Sequence, residues 1–144
     1  GVKGLKELGI QKSIIASTTP PRGFSNAPYV DEMGIDLDHI QATGVKTKIF
    51  SGNAFEAAKG FPANVNVAAT LSLAGNGAET TEVEIWADPK AIGNSHEITV
   101  SGEFSTLQMR IENKPDPANP KSSMLAAQSI VAVLKDMNKA LVVL

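Results

Sequence analysis

The sequence predicts an α+β fold: a mixed, mainly antiparallel sheet with helices packed on one face. Three observations carry this. Strand-like segments recur at 13–19, 45–50, 81–87, 96–101 and 107–111, and those after the first alternate with a period of two. Small or apolar residues dominate 63–74 and 122–138, which read as helices. The resulting order is strand, strand, helix, helix, three strands, helix. Clustered antiparallel strands with grouped helices point to one sheet and one helical layer.

Taken in order, Leu5 and Leu8 among lysines predict a short first helix that Gly9 ends. Ser13–Thr19 predicts a strand stopped by Pro20-Pro21. From Arg22 to Gly44 turn formers and scattered charges show no firm period, which reads as loop. Val45–Phe50 alternates as a strand. Asn53 with Glu56 three residues on has the capping-box pattern of a short helix ending at Gly60. Phe61-Pro62 restarts a helix, with proline at its first position, and Gly75-Asn76-Gly77 closes it. Thr81–Ala87 is a strand with Val83 and Ile85 inward, and Asp88-Pro89 begins the turn after it. Gly102-Glu103 reads as a two-residue hairpin turn between the last two strands. Leu107, Met109 and Ile111 share one parity, so Arg110 falls on the other, as a solvent-face or cross-strand charge. Asn119, Pro120 and Lys121 open the final helix, read as buried on more than one face.

A chain of 144 residues with 42% hydrophobic residues fits one domain, 1–144, with a sizeable core. A net charge of −2 without a block of like charge argues against a nucleic-acid surface. No apolar run is long enough to span a bilayer, and no signal peptide is found. The absence of cysteine excludes disulfides and thiolate metal sites and suits a cytoplasmic protein. Asp31, Glu32, Asp36, Asp38 and His39 match no metal-ligand spacing and read as solvated acids, so no metal is expected. The start at Gly1-Val2 and the apolar end Leu141–Leu144 read as a domain of something longer. Val131, Leu134, Leu141, Val142 and Leu144 predict self-association, because they supply more apolar surface than a small domain covers.

Acid–base chemistry has few candidates, because the chain holds two histidines and no cysteine. His96 opens an alternating run and shares parity with Ile98 and Val100, so its imidazole falls on the apolar face at the mouth of a strand. Gly93, Asn94 and Ser95 form a turn just before it, with amide and hydroxyl groups able to orient a ring or a ligand. A half-buried histidine with one hydrogen bond and no chemistry fits the same pattern. Asn66 and Thr70 share a helix face at i, i+4, and Asn66 needs a partner from protein or ligand. Lys121, beside free helical N–H groups and against the helix dipole, suits a carboxylate or phosphate. Gly75-Asn76-Gly77 lacks the third glycine and the preceding strand of a dinucleotide fingerprint.

Phe61-Pro62-Ala63-Asn64-Val65-Asn66-Val67-Ala68-Ala69, Leu73-Ala74-Gly75, Ala87-Asp88-Pro89, Asn94-Ser95-His96-Glu97-Ile98 and Asn119-Pro120-Lys121-Ser122-Ser123, in this order, resemble the C-terminal domain of L-aspartate dehydrogenase. The resemblance covers nearly the whole chain and is weakest between Gly23 and Gly44. It implies a fold similar to the C-terminal domains of dehydrogenases of the glyceraldehyde-3-phosphate and homoserine dehydrogenase type. It also implies a missing N-terminal Rossmann domain, against which a last helix at about 120–140 would pack. The implied reaction is NAD- or NADP-dependent oxidation of L-aspartate to iminoaspartate, feeding NAD biosynthesis. The resemblance gives His96 as the acid/base, Asn66 as a cofactor contact, and Asn94 and Lys121 on the substrate side. A backbone contact to the cofactor falls near Gly1, where the family usually has alanine. A homodimer is expected, and the chain alone is expected to be inactive. Two other readings stay open: a non-catalytic dimerisation module, or a small-ligand binding domain on the same scaffold.

Overall fold

In a computed structural model, residues 1–118 are described, together with Gln128, Val131, Ala132, Leu134 and Lys135. The chain divides into two compact units, Gly1–Glu112 and Asn113–Leu144. The first contains α1 (Val2–Leu8), β1 (Ile10–Thr19), a 3-10 turn (Pro21–Phe24), α2 (Pro28–Glu32), α3 (Leu37–Thr43), β2 (Thr47–Asn53), α4 (Ala54–Gly60), α5 (Asn66–Ala74), β3 (Thr81–Ala87), β4 (Ser95–Gly102) and β5 (Thr106–Glu112). In the second, the five named residues from Gln128 onward are helical and exposed. The rest of the predicted last helix, with Asn119, Pro120 and Lys121, lies outside the described residues.

The sheet has five strands in the order β2-β3-β1-β4-β5. Only β1 and β3 run parallel; the other three pairings are antiparallel, as the alternation predicted for a mixed sheet. The parallel pair requires a crossover, which α4 and α5 help to make after the β2 edge. One face is apolar because the pleat sends alternate side chains to it. Ile15 lies between Val83 and Ile98, and all three are buried. Helices α1, α4 and α5 pack against this sheet. Phe24, Tyr29, Phe50 and Phe61 form an aromatic cluster, with Phe50 and Phe61 centroids 5.5 Å apart and their planes inclined at 69°. Phe24 meets Phe61 edge-on at 5.8 Å, and Tyr29 meets Phe50 at 5.2 Å. Such quadrupole-matched contacts add to the area these rings bury.

The helix starts show where local chemistry decides. Asn53 Oδ1 accepts from the Glu56 N–H at 2.8 Å, and Glu56 Oε2 accepts from the Asn53 N–H at 3.1 Å, completing the predicted capping box. Gly9, at φ 91, ends α1 as expected. Three sequence expectations need correction. The stretch 22–44 is not a loop: it carries the 3-10 turn, α2 and α3. Asp36 caps α3 by accepting from the His39 N–H at 2.9 Å, and Gly44 ends it at φ 68. These helices are too short to display a period, although the Asp36 and Gly44 signals stand in the sequence. The second helix of the crossover begins at Asn66, not at Pro62, which lies in a turn. The last hairpin turns at Glu103-Phe104, one residue later than expected, with the Gly102 N–H donating to the Ser105 carbonyl at 2.9 Å.

Candidate active site

His96 is the second residue of β4 and shares the inner face with Ile98 and Val100; all three are buried, as the alternation predicted. Strand register then fixes its neighbours. Ser17 of β1 stands directly opposite on one side and Ile111 of β5 on the other. The Ser17 hydroxyl lies 2.9 Å from His96 Nδ1 in a buried hydrogen bond. Burial pushes the imidazole pKa below its ordinary value, because the charged ring would lose hydration. The neutral ring is therefore the resting form at neutral pH.

The flanking strands bring no carboxylate to this face. In β3, β1, β4 and β5 the side chains of this parity are serine, threonine, alanine or apolar apart from His96 itself. Glu97 points the other way and pairs with Arg110 Nη1 at 2.9 Å across the outer face. Arg110 also bonds Glu112, and these two carboxylates, Glu112 first, raise its pKa. Arg110 is thus the cross-strand surface charge the sequence predicted, exposed and modest in energy.

Packing places Asn66 at the same end of the sheet as His96. A Cβ on Gly75, at the C-terminal cap of α5, would meet Ile10 Cδ1 at 3.5 Å and Val2 Cγ1 at 3.7 Å, so α5 ends over the start of β1. Its first residue, Asn66, therefore lies toward the other end, where β1 finishes and β4 begins. The bond from Asn64 Nδ2 to the Gly23 carbonyl, 3.3 Å, ties the segment before α5 to the turn that follows β1. Asn66 is exposed, on a helix only partly buried, and its side-chain amide makes no hydrogen bond among the described residues. Its i+4 neighbour Thr70 satisfies itself by donating to the Asn66 carbonyl at 2.9 Å. Asn94 is exposed two residues before His96. Three of the four predicted site residues thus share one end of the sheet, and Lys121 lies outside the described residues. Ser17 was missed: in sequence it is one small polar residue within a strand, and only the β1–β4 register reveals its partner.

Two surface hollows of about 270 and 400 Å³ lie elsewhere, around Tyr29–Ile49 and Pro21–Gln41, and neither includes Ser17, Asn66, Asn94 or His96. Among the described residues no cluster of three or more His, Asp or Glu can hold a metal ion. No described helix is long and apolar enough to cross a membrane.

The fold and this residue set define an α+β domain with a buried, serine-anchored histidine at the rim of a mixed sheet. The family model for the C-terminal domain of aspartate dehydrogenase matches residues 1–137. An L-aspartate dehydrogenase of Methanosarcina acetivorans is 50% identical over 135 residues, covering 94% of this chain and 49% of the relative. L-aspartate dehydrogenase 3 of Bordetella bronchiseptica is 43% identical over 137 residues, covering 95% and 49%. The crystal structure of aspartate dehydrogenase from Thermotoga maritima superposes with a TM-score of 0.71 at 28% identity, over 99% of this chain and 50% of that one. The chain belongs to the aspartate dehydrogenase C-terminal domain family. It spans about half the length of the relatives it matches.

Proposed function

We propose that this chain is the substrate-facing half of an NAD(P)-dependent L-aspartate dehydrogenase, forming iminoaspartate for NAD biosynthesis in the cytoplasm, with His96 as acid/base. The observation that carries the reading is His96 itself: a buried imidazole held at Nδ1 by Ser17, at the sheet end shared by Asn66 and Asn94, in a chain of this family. The described residues contain no glycine-rich strand–loop–helix for a dinucleotide; Gly75-Asn76-Gly77 follows a helix. Asn66 is exposed, and its amide makes no hydrogen bond among the described residues, which suits a single contact to the nicotinamide part. A nucleotide-binding domain supplies the rest.

When bound, the cofactor supplies the two-electron acceptor. The chain's own task is proton handling. Oxidation of the Cα–N bond of L-aspartate to C=N leaves a cationic iminium whose nitrogen must lose a proton. His96 Nε2 takes that proton, and the resulting imidazolium releases it to solvent before the next turnover. Asn94 and Lys121 hold the substrate carboxylates as hydrogen-bond and charge partners.

Homodimerisation is part of the same proposal. Helices pack on one face of the sheet, and the opposite face carries Ile14, Ala16 and Trp86 among charged groups. Val131 and Leu134 are 41% and 59% exposed. Sedimentation is expected to give a dimer, and a clean monomer at high concentration contradicts it.

A purely structural histidine is the second reading, favoured by the ring's 7% exposure and its single side-chain hydrogen bond among the described residues. The functional assignment is tested by two measurements. Joined to its nucleotide-binding domain, the protein should reduce NAD or NADP only when L-aspartate is present. Calorimetry on this chain alone should show no heat with either nucleotide; micromolar binding overturns the division of labour.

A further inference from the structure

We propose that Ser17 is a positioning residue for His96, its hydroxyl accepting the Nδ1–H so that Nε2 is the nitrogen that exchanges a proton with substrate. The inference rests on the acid/base reading of His96 given above. Three observations support it. Ser17 and His96 are register partners on adjacent antiparallel strands, so the 2.9 Å bond is set by the sheet and not by a loop. Both side chains are buried, Ser17 at 6% and His96 at 7% exposure, which makes the contact direct and costly to lose. The ring's other cross-strand neighbour, Ile111, has no polar atom in its side chain.

The chemistry of a hydroxyl differs from that of a carboxylate at this position. A base must keep its Nε2 lone pair free, which requires the proton to sit on Nδ1. An Nδ1–H donating to Ser17 Oγ meets that need, and the same bond survives when Nε2 becomes protonated. Nothing has to rotate during the transfer. A neutral partner also adds no counter-charge at Nδ1, so it does not hold the proton on the ring as an aspartate would. Among the described residues, the charged groups of the paired strands and of α1 lie off this face. Glu82, Glu84, Glu97, Arg110 and Glu112 fall on the opposite face, and Lys3, Lys6 and Glu7 of α1 are exposed.

The test is a double-mutant cycle on the protein joined to its nucleotide-binding domain. Ser17→Ala should lower kcat by about ten-fold, with the cofactor KM unchanged, and should cause no further loss in a His96→Ala background. Ser17→Thr, which keeps the hydroxyl, should restore turnover. Nitrogen-15 spectra of His96 supply a readout that does not depend on activity: the wild-type ring should carry its proton on Nδ1 and shift toward Nε2 in Ser17→Ala. Equal losses in both backgrounds, or a wild-type ring protonated on Nε2, overturn the positioning role. A His96→Ala protein with normal turnover overturns the acid/base reading itself, and the spectra still report on the Ser17 contact.

Discussion

A side chain on Gly102 would collide with the backbone of Gly9: a Cβ there would stand 2.6 Å from the Gly9 carbonyl oxygen. The pair sits where the β1–β4 register slips by one residue between Ile10 and Lys12. Glycine at 102 is what lets the end of β4 lie against the turn between α1 and β1. Gly102→Ala should therefore destabilise the fold by about 1–3 kcal/mol through overpacking against rigid backbone. Urea unfolding measures this, and an unchanged midpoint would show that the strand ends shift freely.

Ser13 offers the opposite case. Its hydroxyl is buried and has no hydrogen-bond partner among the described residues. Thr81, its neighbour on β3, donates to the Gly77 carbonyl at 2.7 Å. Removing an unsatisfied group costs little, whereas removing a satisfied one loses a hydrogen bond. Ser13→Ala should be neutral or slightly stabilising, and Thr81→Ala should lose about 1–2 kcal/mol. Thermal melts of both variants decide it; a Ser13→Ala protein that melts well below wild type refutes the assignment.

The sequence was most informative where the side chains themselves declare the structure. The parity of His96, Ile98 and Val100, the Asn53–Glu56 capping box and the surface role of Arg110 all follow from local spacing. Legibility failed where tertiary context decides. Helices α2 and α3 span 5 and 7 residues, too few for a hydrophobic period. Pro62 suits a helix start equally well, yet the chain turns there. Among site residues, His96 and Asn66 stood out by type and motif. Ser17 did not, because a serine seventy-nine positions away becomes a neighbour only through strand pairing.

The depressed pKa of His96 has a consequence for stability. Below the ordinary histidine value of 6.5 the unfolded chain takes up this proton before the folded one does. The His96 contribution is thus fully present above pH 6.5 and is lost as pH falls toward the lower folded value. Wild-type stability should decline over that window, and His96→Gln should decline less. Urea midpoints at successive pH values from neutral downward test this. Parallel profiles for the two proteins would mean the ring gains its proton without penalty.

Asn66 separates binding from turnover. Asn66→Ala should raise the cofactor KM by several-fold, the loss of one hydrogen bond, while kcat stays near wild type. Because the side chain is exposed, its removal should leave the melting temperature unchanged. A large fall in kcat with normal KM would place Asn66 in the chemistry instead.

The most direct test of the account is turnover and thermal unfolding measured on one preparation of His96→Ala, in the protein joined to its nucleotide-binding domain. As the acid/base, His96 should take about two to four orders of magnitude of kcat with it when removed, while cofactor binding barely changes. A purely structural histidine gives the reverse pattern: a lowered melting temperature with activity per folded molecule retained. The account predicts the first result. Near-normal turnover in a destabilised His96→Ala protein would contradict it, removing His96 from the mechanism while leaving the family and the fold in place.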